Sequence, residues 1–280
     1  MKKIIISCDS SCDLSKELIE KYDIRVVPML VNIGLDSYHD GVDLFPDMIY
    51  ERVEKDKILP KTSAISVSEY IEHFKKLREE AEIVLHISIS SGFSCTFQNS
   101  TFACEEVDNV YTFDGMNLST GTGLVILKAC DLVAQGLEIN EIIKELEVYR
   151  SKVDASFVID KLDYLHKGGR CGGLTAFAAT ILHLKPCIEV VDGKMNVGKK
   201  YRGSLDRVVK KYAKDRLENM EIDPTRVFVT HSGCKEEVLN AVKSVVEETG
   251  LFKEILVTRA GATVSTHCGP NTIGVLFAKK

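Results

Sequence analysis

Two stretches of this chain set small hydroxyl side chains beside backbone that an anion could approach. The first is Ser90-Ser91-Gly92-Phe93-Ser94-Cys95-Thr96, which follows an apolar run and leads into a helix-like segment. Unpaired N–H groups at a helix start, together with the helix dipole, favour a negative group there. Gly92 lets a ligand come close to the backbone, and Ser94 adds a hydroxyl donor. The second is the loop Pro60-Lys61-Thr62-Ser63-Ala64-Ile65-Ser66, from which Thr62 supplies another donor. Hydroxyl residues in such places also cap helices, and spacing alone favours capping.

A nucleophilic reading competes. Gly92-Phe93-Ser94-Cys95-Thr96 partly imitates the Gly-x-Ser-x-Gly nucleophile elbow, and Asp114 and His267 follow in the acid-then-histidine order of an α/β-hydrolase. Thr96 stands where the strained elbow needs its second glycine, which ranks serine hydrolysis below binding. There is no phosphate-binding P-loop. Gly121-Thr122-Gly123 lacks the third glycine of a dinucleotide fingerprint and fits helix packing better. Two loop cations remain. Arg170 ends Lys167-Gly168-Gly169, and Arg202 lies in the exposed turn Lys199-Lys200-Tyr201-Arg202-Gly203. They are either solvated charges or a basic rim for an anionic head group or partner surface.

The elements that must position these residues follow an α/β grammar. Strands are predicted at Lys3–Ser7, Ile24–Val31, Glu82–Ile89 and Asn109–Phe113. Helices are predicted at Leu14–Tyr22, Phe45–Asp56, Glu69–Glu79 capped by Ser68, Phe97–Glu106, Thr120–Gln135 and Glu141–Ser151 capped by Asn140. The pattern changes near residue 150, so two domains are expected, 1–150 and 151–280. The second reads as a strand at Ala155–Ile159, a short helical turn at Leu162–Leu165 and an all-round apolar helix at Leu174–Leu184. A hairpin follows at Cys187–Val197 about Asp192-Gly193. Helices at Leu205–Met220 and Lys235–Thr249 alternate with strands at Arg226–His231, Glu254–Arg259 and Thr272–Ala278.

The chain has 280 residues, 45% hydrophobic and 28% charged, enough for sizeable cores and unlike a disordered chain. With 36 basic against 41 acidic residues the net charge is −5, which gives no overall pull toward nucleic acid or an anionic membrane. The apolar run Ile4–Ile6 is too short for a signal peptide and no segment is long enough to span a bilayer, so a cytoplasmic location is expected. Nine cysteines, an odd number with no Cys-x-x-Cys pair, are expected to be reduced and mostly buried, with no metal site.

Taken in order, these loops resemble the DegV family of bacterial fatty-acid-binding proteins. Asp9-Ser10-Ser11-Cys12-Asp13-Leu14 is similar to the family's opening Asp-Ser-Thr/Ser-x-Asp-Leu, and Thr62-Ser63 to its Thr-Ser motif. Ser90-Ser91-Gly92-Phe93-Ser94-Cys95-Thr96-Phe97 is similar to Ser-Ser-Gly-x-Ser-Gly-Thr-Tyr, with Cys95 in place of a glycine. Lys167-Gly168-Gly169-Arg170, Leu184-Lys185-Pro186, Asp192-Gly193 and His267-Cys268-Gly269-Pro270 complete the series. The resemblance implies an N-terminal three-layer α/β domain with a parallel sheet, a C-terminal α+β domain with a mainly antiparallel sheet, and an acyl tunnel between them. It implies a long-chain fatty acid as ligand and no other cofactor. Thr62 and Ser94 would bind the carboxylate, with His267, Gly92 and Arg170 around the head group. Arg170 and Arg202 would face a fatty-acid kinase that makes acyl phosphate, so the chain itself would be a carrier and not an enzyme. The segment Leu174–Leu182 would line the tunnel.

Overall fold

The structure, a computed structural model, describes residues 2–160, 163–169, 184–218 and 220–280. The apolar opening run forms β1 (Lys2–Asp9), which passes through a short 3₁₀ turn into α1 (Lys16–Lys21). The expected strand over Ile24–Val31 is two strands, β2 (Arg25–Val27) and β3 (Leu30–Ile33). Pro28 lies between them and has no N–H to continue a ladder. β3 pairs antiparallel with β4 (Asp36–His39) on one side. After α2 (Pro46–Asp56), β5 (Lys61–Ser63) pairs with β3 on the other, so Thr62 sits on a strand and not in the expected loop. α3 (Val67–Glu80) is capped by Ser66, not Ser68, because Ser66 and Glu69 form a reciprocal capping box. Next come β6 (Ala81–Ser88), α4 (Thr96–Cys104) and β7 (Val110–Asp114). β2, β1, β6 and β7 make a four-stranded parallel sheet in that order.

α5 (Thr120–Ala134) and α6 (Ile139–Lys152) follow. Glu138, in a second capping box with Glu141, starts α6 where Asn140 was expected to. The remaining elements are β8 (Val153–Val158), α7 (Asp163–Lys167), the hairpin β9 (Leu184–Val191) and β10 (Lys194–Arg202), α8 (Leu205–Leu217), β11 (Ile222–Ser232), α9 (Glu236–Glu248), β12 (Glu254–Arg259), α10 (Ala262–Cys268) and β13 (Thr272–Lys279). The second sheet runs β10-β9-β8-β13-β11-β12, antiparallel throughout except for β11 with β12. This is the expected α/β class, a parallel sheet and a separate, mainly antiparallel one. The helix expected at Leu174–Leu184 lies, but for Leu184, outside the described residues, as does Arg170. Leu184 opens β9. Lys199–Arg202, expected as a turn, ends β10.

One helix explains how the two sheets share a core. α5 packs on β1 and β6 on one side and on β8 and β13 on the other, and Thr120 to Leu127 are all buried. Apolar side chains of Ile4, Ile6, Leu124, Leu127, Ala155 and Leu276 form one cluster across this layer. Its first turn is closely packed at two positions: a Cβ on Gly121 would stand 2.0 Å from Asn117 Oδ1, and one on Gly123 2.9 Å from Leu14 Cδ2, so either side chain would have to shift. Close packing is therefore the reason for Gly121-Thr122-Gly123. α3 and α4 cover the outer face of the parallel sheet through Tyr70, Phe74 and Ala103, and α8 and α9 cover the mixed sheet through Val209, Tyr212, Val242 and Val246.

The outer layer holds a buried polar network. Ser7 Oγ lies 2.8 Å from His73 Nε2 and 3.0 Å from His86 Nδ1, and His86 Nε2 lies 3.2 Å from the Tyr70 hydroxyl. Burial lowers the affinity of both rings for a proton, pushing His73 down to about 4 and His86 well below its usual value of 6.5. Below pH 6.5 the unfolded chain takes up protons that the folded one refuses. Their stabilising contribution is thus complete above about pH 6.5 and is lost as the pH falls toward 4. The urea midpoint of the wild type relative to that of His73→Gln is expected to fall as the pH drops through that window; a difference between the two that stays constant from pH 7.5 to 4.5 would refute this.

Candidate functional site

Thr62 is the central residue of β5, opposite Val31 of β3. His267 stands in the last turn of α10, and its Nε2 is 2.8 Å from Thr62 Oγ1. Ser94 comes from the turn between β6 and α4, which is closed by Phe93 and Ser94 N–H groups donating to the Ser90 carbonyl at 3.0 and 3.3 Å. These three half-buried residues, with Thr263, supply the polar side chains around one cavity of about 50 Å³. Most of the remaining wall is apolar: Met29, Ile89, Phe93, Leu118, Met195 and Val264. Thr62 and Ser94, 32 residues apart in sequence, therefore face one space, with His267 between two halves of the chain.

The hydrogen bonds set what the two hydroxyls offer. When His267 carries its proton on Nε2 it donates to Thr62 Oγ1, which leaves the threonine proton free to point at a ligand oxygen. Ser94 Oγ accepts the Thr96 N–H at 3.2 Å and lies 2.7 Å from Thr96 Oγ1. When the Thr96 hydroxyl donates, Ser94 keeps its own proton for a ligand. Ser94 thus meets one amide at the start of α4, although the residue at the cap position is Cys95, which makes no side-chain cap bond. Two neutral O–H donors beside an apolar space suit the carboxylate of a molecule that is otherwise hydrocarbon.

A second cavity, of about 30 Å³, shares Leu118, Val264 and Cys268 with the first and reaches Phe157, Gly274 and Leu276. The pair makes an interrupted apolar path from the hydroxyls toward the mixed sheet. A larger cleft of about 360 Å³ lies elsewhere, lined by Arg150, Arg216, Lys279, Asp154 and Glu189. Arg216 bridges Asp154 and Glu189, so an alkyl chain there would strip water from paired charges without replacing it. The smaller, apolar space is the better candidate.

Other expected site residues fall differently. A Cβ on Gly92 would lie 2.4 Å from the Gly193 carbonyl oxygen, so the β9–β10 turn packs directly on Gly92. Ser90 Oγ donates to the same carbonyl at 2.8 Å. Arg202 is exposed at the far end of β10 from Met195, on the order of 20 Å along the strand, too far to touch a head group. It makes no ion pair among the described residues. Arg170 lies outside them, although Gly168 packs against the His267 ring so closely that a Cβ would stand 2.4 Å from Nδ1. The hydrolase constellation gains no support: Ser94 Oγ pairs with Thr96, His267 Nε2 with Thr62, and the Asp114 carboxylate accepts from the Ser91 and Met116 N–H groups. Among the described residues no three His, Cys, Asp or Glu side chains are placed to hold a metal ion. Sequence reasoning did not single out Thr263, Val264, Leu118 or Met195. The first two belong to α10, a seven-residue helix rich in β-branched residues that gave no helical signal.

Residues 3–280 match the family described as "Uncharacterised protein, DegV family". A DegV domain-containing protein of Clostridium perfringens is 35% identical over 285 residues, covering all of both chains. Among solved structures, one titled as fatty acid binding of a DegV family protein from Thermus thermophilus superposes with a TM-score of 0.90 at 30% identity, over 99% of this chain and 100% of that one. DegV from Bacillus subtilis, titled a fatty acid binding protein, gives 0.86 at 28% identity over all of both chains. A stearic acid-binding protein from Eubacterium ventriosum gives 0.83 at 28%, over 100% of this chain and 99% of that one. With its whole length matched in sequence and in fold, this chain belongs to the DegV family.

Proposed function

We propose that this protein binds a long-chain fatty acid, its carboxylate on Thr62 and Ser94 and its tail in the apolar path past Leu118, Val264 and Cys268, and presents it to a fatty-acid kinase. The observation that carries the reading is the meeting of Thr62, Ser94 and His267 on one otherwise apolar cavity. The related Thermus, Bacillus and Eubacterium proteins, each described as binding a fatty acid, support it. The energetics divide the work. Each buried methylene contributes about 0.8 kcal/mol, so a sixteen-carbon tail supplies on the order of 10 kcal/mol. A charge-assisted hydrogen bond to the carboxylate adds about 1.5–3 kcal/mol. The tail sets affinity and the hydroxyls set direction, which leaves the acid group at the Thr62 end, the end a transferase has to reach. A tail of that length requires Leu118, Val264 and Cys268 to give way where they separate the two cavities. The exposed Arg202, without an ion pair among the described residues, suits an acidic surface on the kinase.

Purified protein is expected to carry a fatty acid, seen by mass spectrometry of a solvent extract. Thr62→Val and Ser94→Ala are each expected to weaken palmitate binding about tenfold. Protein that is free of lipid and takes up neither palmitate nor oleate would reject the reading, and unchanged affinity in the double variant would reject the head-group assignment. Arg202→Ala is expected to leave palmitate affinity unchanged and to slow kinase-dependent formation of acyl phosphate; a wild-type rate would remove Arg202 from the docking face.

A further inference from the structure

The opening motif Asp9-Ser10-Ser11-Cys12-Asp13 does not line the first cavity, yet its side chains are bonded to the walls. Asp9 Oδ2 accepts the N–H of Ile89 at 2.8 Å, at the entry to the Ser94 turn. Ser10 Oγ accepts the N–H of Met29 at 3.0 Å and donates to Asp40 Oδ2 at 2.9 Å. Asp40 then accepts the N–H of Ala262 on Oδ1 at 2.7 Å and that of Thr263 on Oδ2 at 3.1 Å, the first two residues of α10. Asp13 accepts the Gly261 N–H at 2.7 Å and the Ser119 hydroxyl. Met29, Ile89 and Thr263 are all wall residues, and α10 carries His267. All three carboxylates are buried.

From these bonds we infer that Asp9, Ser10 and Asp40 are positioning residues of the ligand site, holding the Ser94 turn and the His267 helix in register with Thr62 without touching the ligand. The inference rests on the proposed fatty-acid reading for its consequence, but not for its geometry. α10 has little reason to be helical by itself: its sequence Ala-Thr-Val-Ser-Thr-His-Cys is poor in helix formers and none of its own residues caps it. Asp40, more than 200 residues away, supplies the missing acceptors for its first N–H groups. The two aspartates that hold this end differ in what they can lose. Asp40 receives three donors on two oxygens, so an asparagine would turn an NH₂ toward N–H or O–H groups. Asp13 receives one amide and one hydroxyl, and a serine hydroxyl can accept as readily as donate. Burial pushes the carboxyls of both Asp13 and Asp40 up, so the contrast between them rests on the donors each receives.

The test uses Asp40→Asn, with Asp13→Asn as control and Ser10→Ala as a milder second variant, in the full chain. Imidazole ¹H–¹⁵N spectra of the unliganded protein report the His267–Thr62 bond, while His73 and His86, in the outer layer, report the fold. Asp40→Asn is expected to move the His267 signals, leave those of His73 and His86 in place and weaken palmitate binding about tenfold; Ser10→Ala should do the same to a smaller extent, and Asp13→Asn should stay within twofold of wild type. Unmoved His267 signals with unchanged affinity overturn the inference. So does loss of the His73 and His86 signals together with that of His267 in both Asp40→Asn and Ser10→Ala, which would make the hub a scaffold for the fold as a whole. Should wild-type protein bind no palmitate, the lipid reading fails and the spectra alone decide the positioning role.

Discussion

The 2.8 Å contact between Thr62 and His267 joins residues 205 positions apart, and the candidate site exists only where that contact is made. One partner hangs from a three-residue strand, the other from a seven-residue helix, and neither element would persist alone. Everything around them serves to bring these two short pieces, and the Ser94 turn, to one apolar space. The constraint is the cost of burying polar atoms: a hydroxyl inside hydrocarbon must have a partner, and here each hydroxyl has one.

The layered core supplies the rigidity. With α5 packed between the parallel and mixed sheets, the carboxyl ends of β1 and β6 stand at a fixed place relative to β11 and β13. Ligand sites of open α/β sheets lie beyond the carboxyl ends of their strands, and the candidate site is placed the same way: Asp9 ends β1, and the Ser94 turn follows β6. The second arm is less usual. β3, β4 and β5 form a small sheet of their own, whose Val31 and Ile33 cluster with Leu44, with Ile49 of α2 and with Ala262 of α10. That apolar cluster and the Asp40 bonds act on the same end of α10. Packing and hydrogen bonding therefore specify one position for His267.

The proposed division of affinity and orientation follows from the same arrangement. An apolar path can reward every methylene of a chain but cannot tell one end from the other. Two hydroxyls at one end of it provide that asymmetry at small energetic cost, because both are neutral and half-buried before any ligand arrives. The charged cleft near Arg216, though larger, offers the reverse: strong pairs already satisfied and little for hydrocarbon to gain.

The larger elements were legible because each needs only local pattern. Runs such as Lys2–Asp9 and Ala81–Ser88 announce strands buried on both faces, and the long amphipathic helices announce themselves by spacing. The start of α3 is also written locally: in Ser66-Val67-Ser68-Glu69 the serine three residues before the glutamate, Ser66 and not Ser68, has the capping-box spacing. The hydroxyls of Thr62 and Ser94 and the ring of His267 stood out by residue type and by resemblance. Their meeting could not be read the same way. β5 and α10 are too short for periodicity to register and owe their form to partners far off in sequence, β3 for one and Asp40 for the other. Composition and pattern determined which segments become strands and helices, since that choice is settled within a dozen residues. Tertiary structure alone decided that Thr62, Ser94 and His267 share a cavity and that Gly92 faces Gly193, because those distances are set by contacts between residues 30 to more than 200 positions apart.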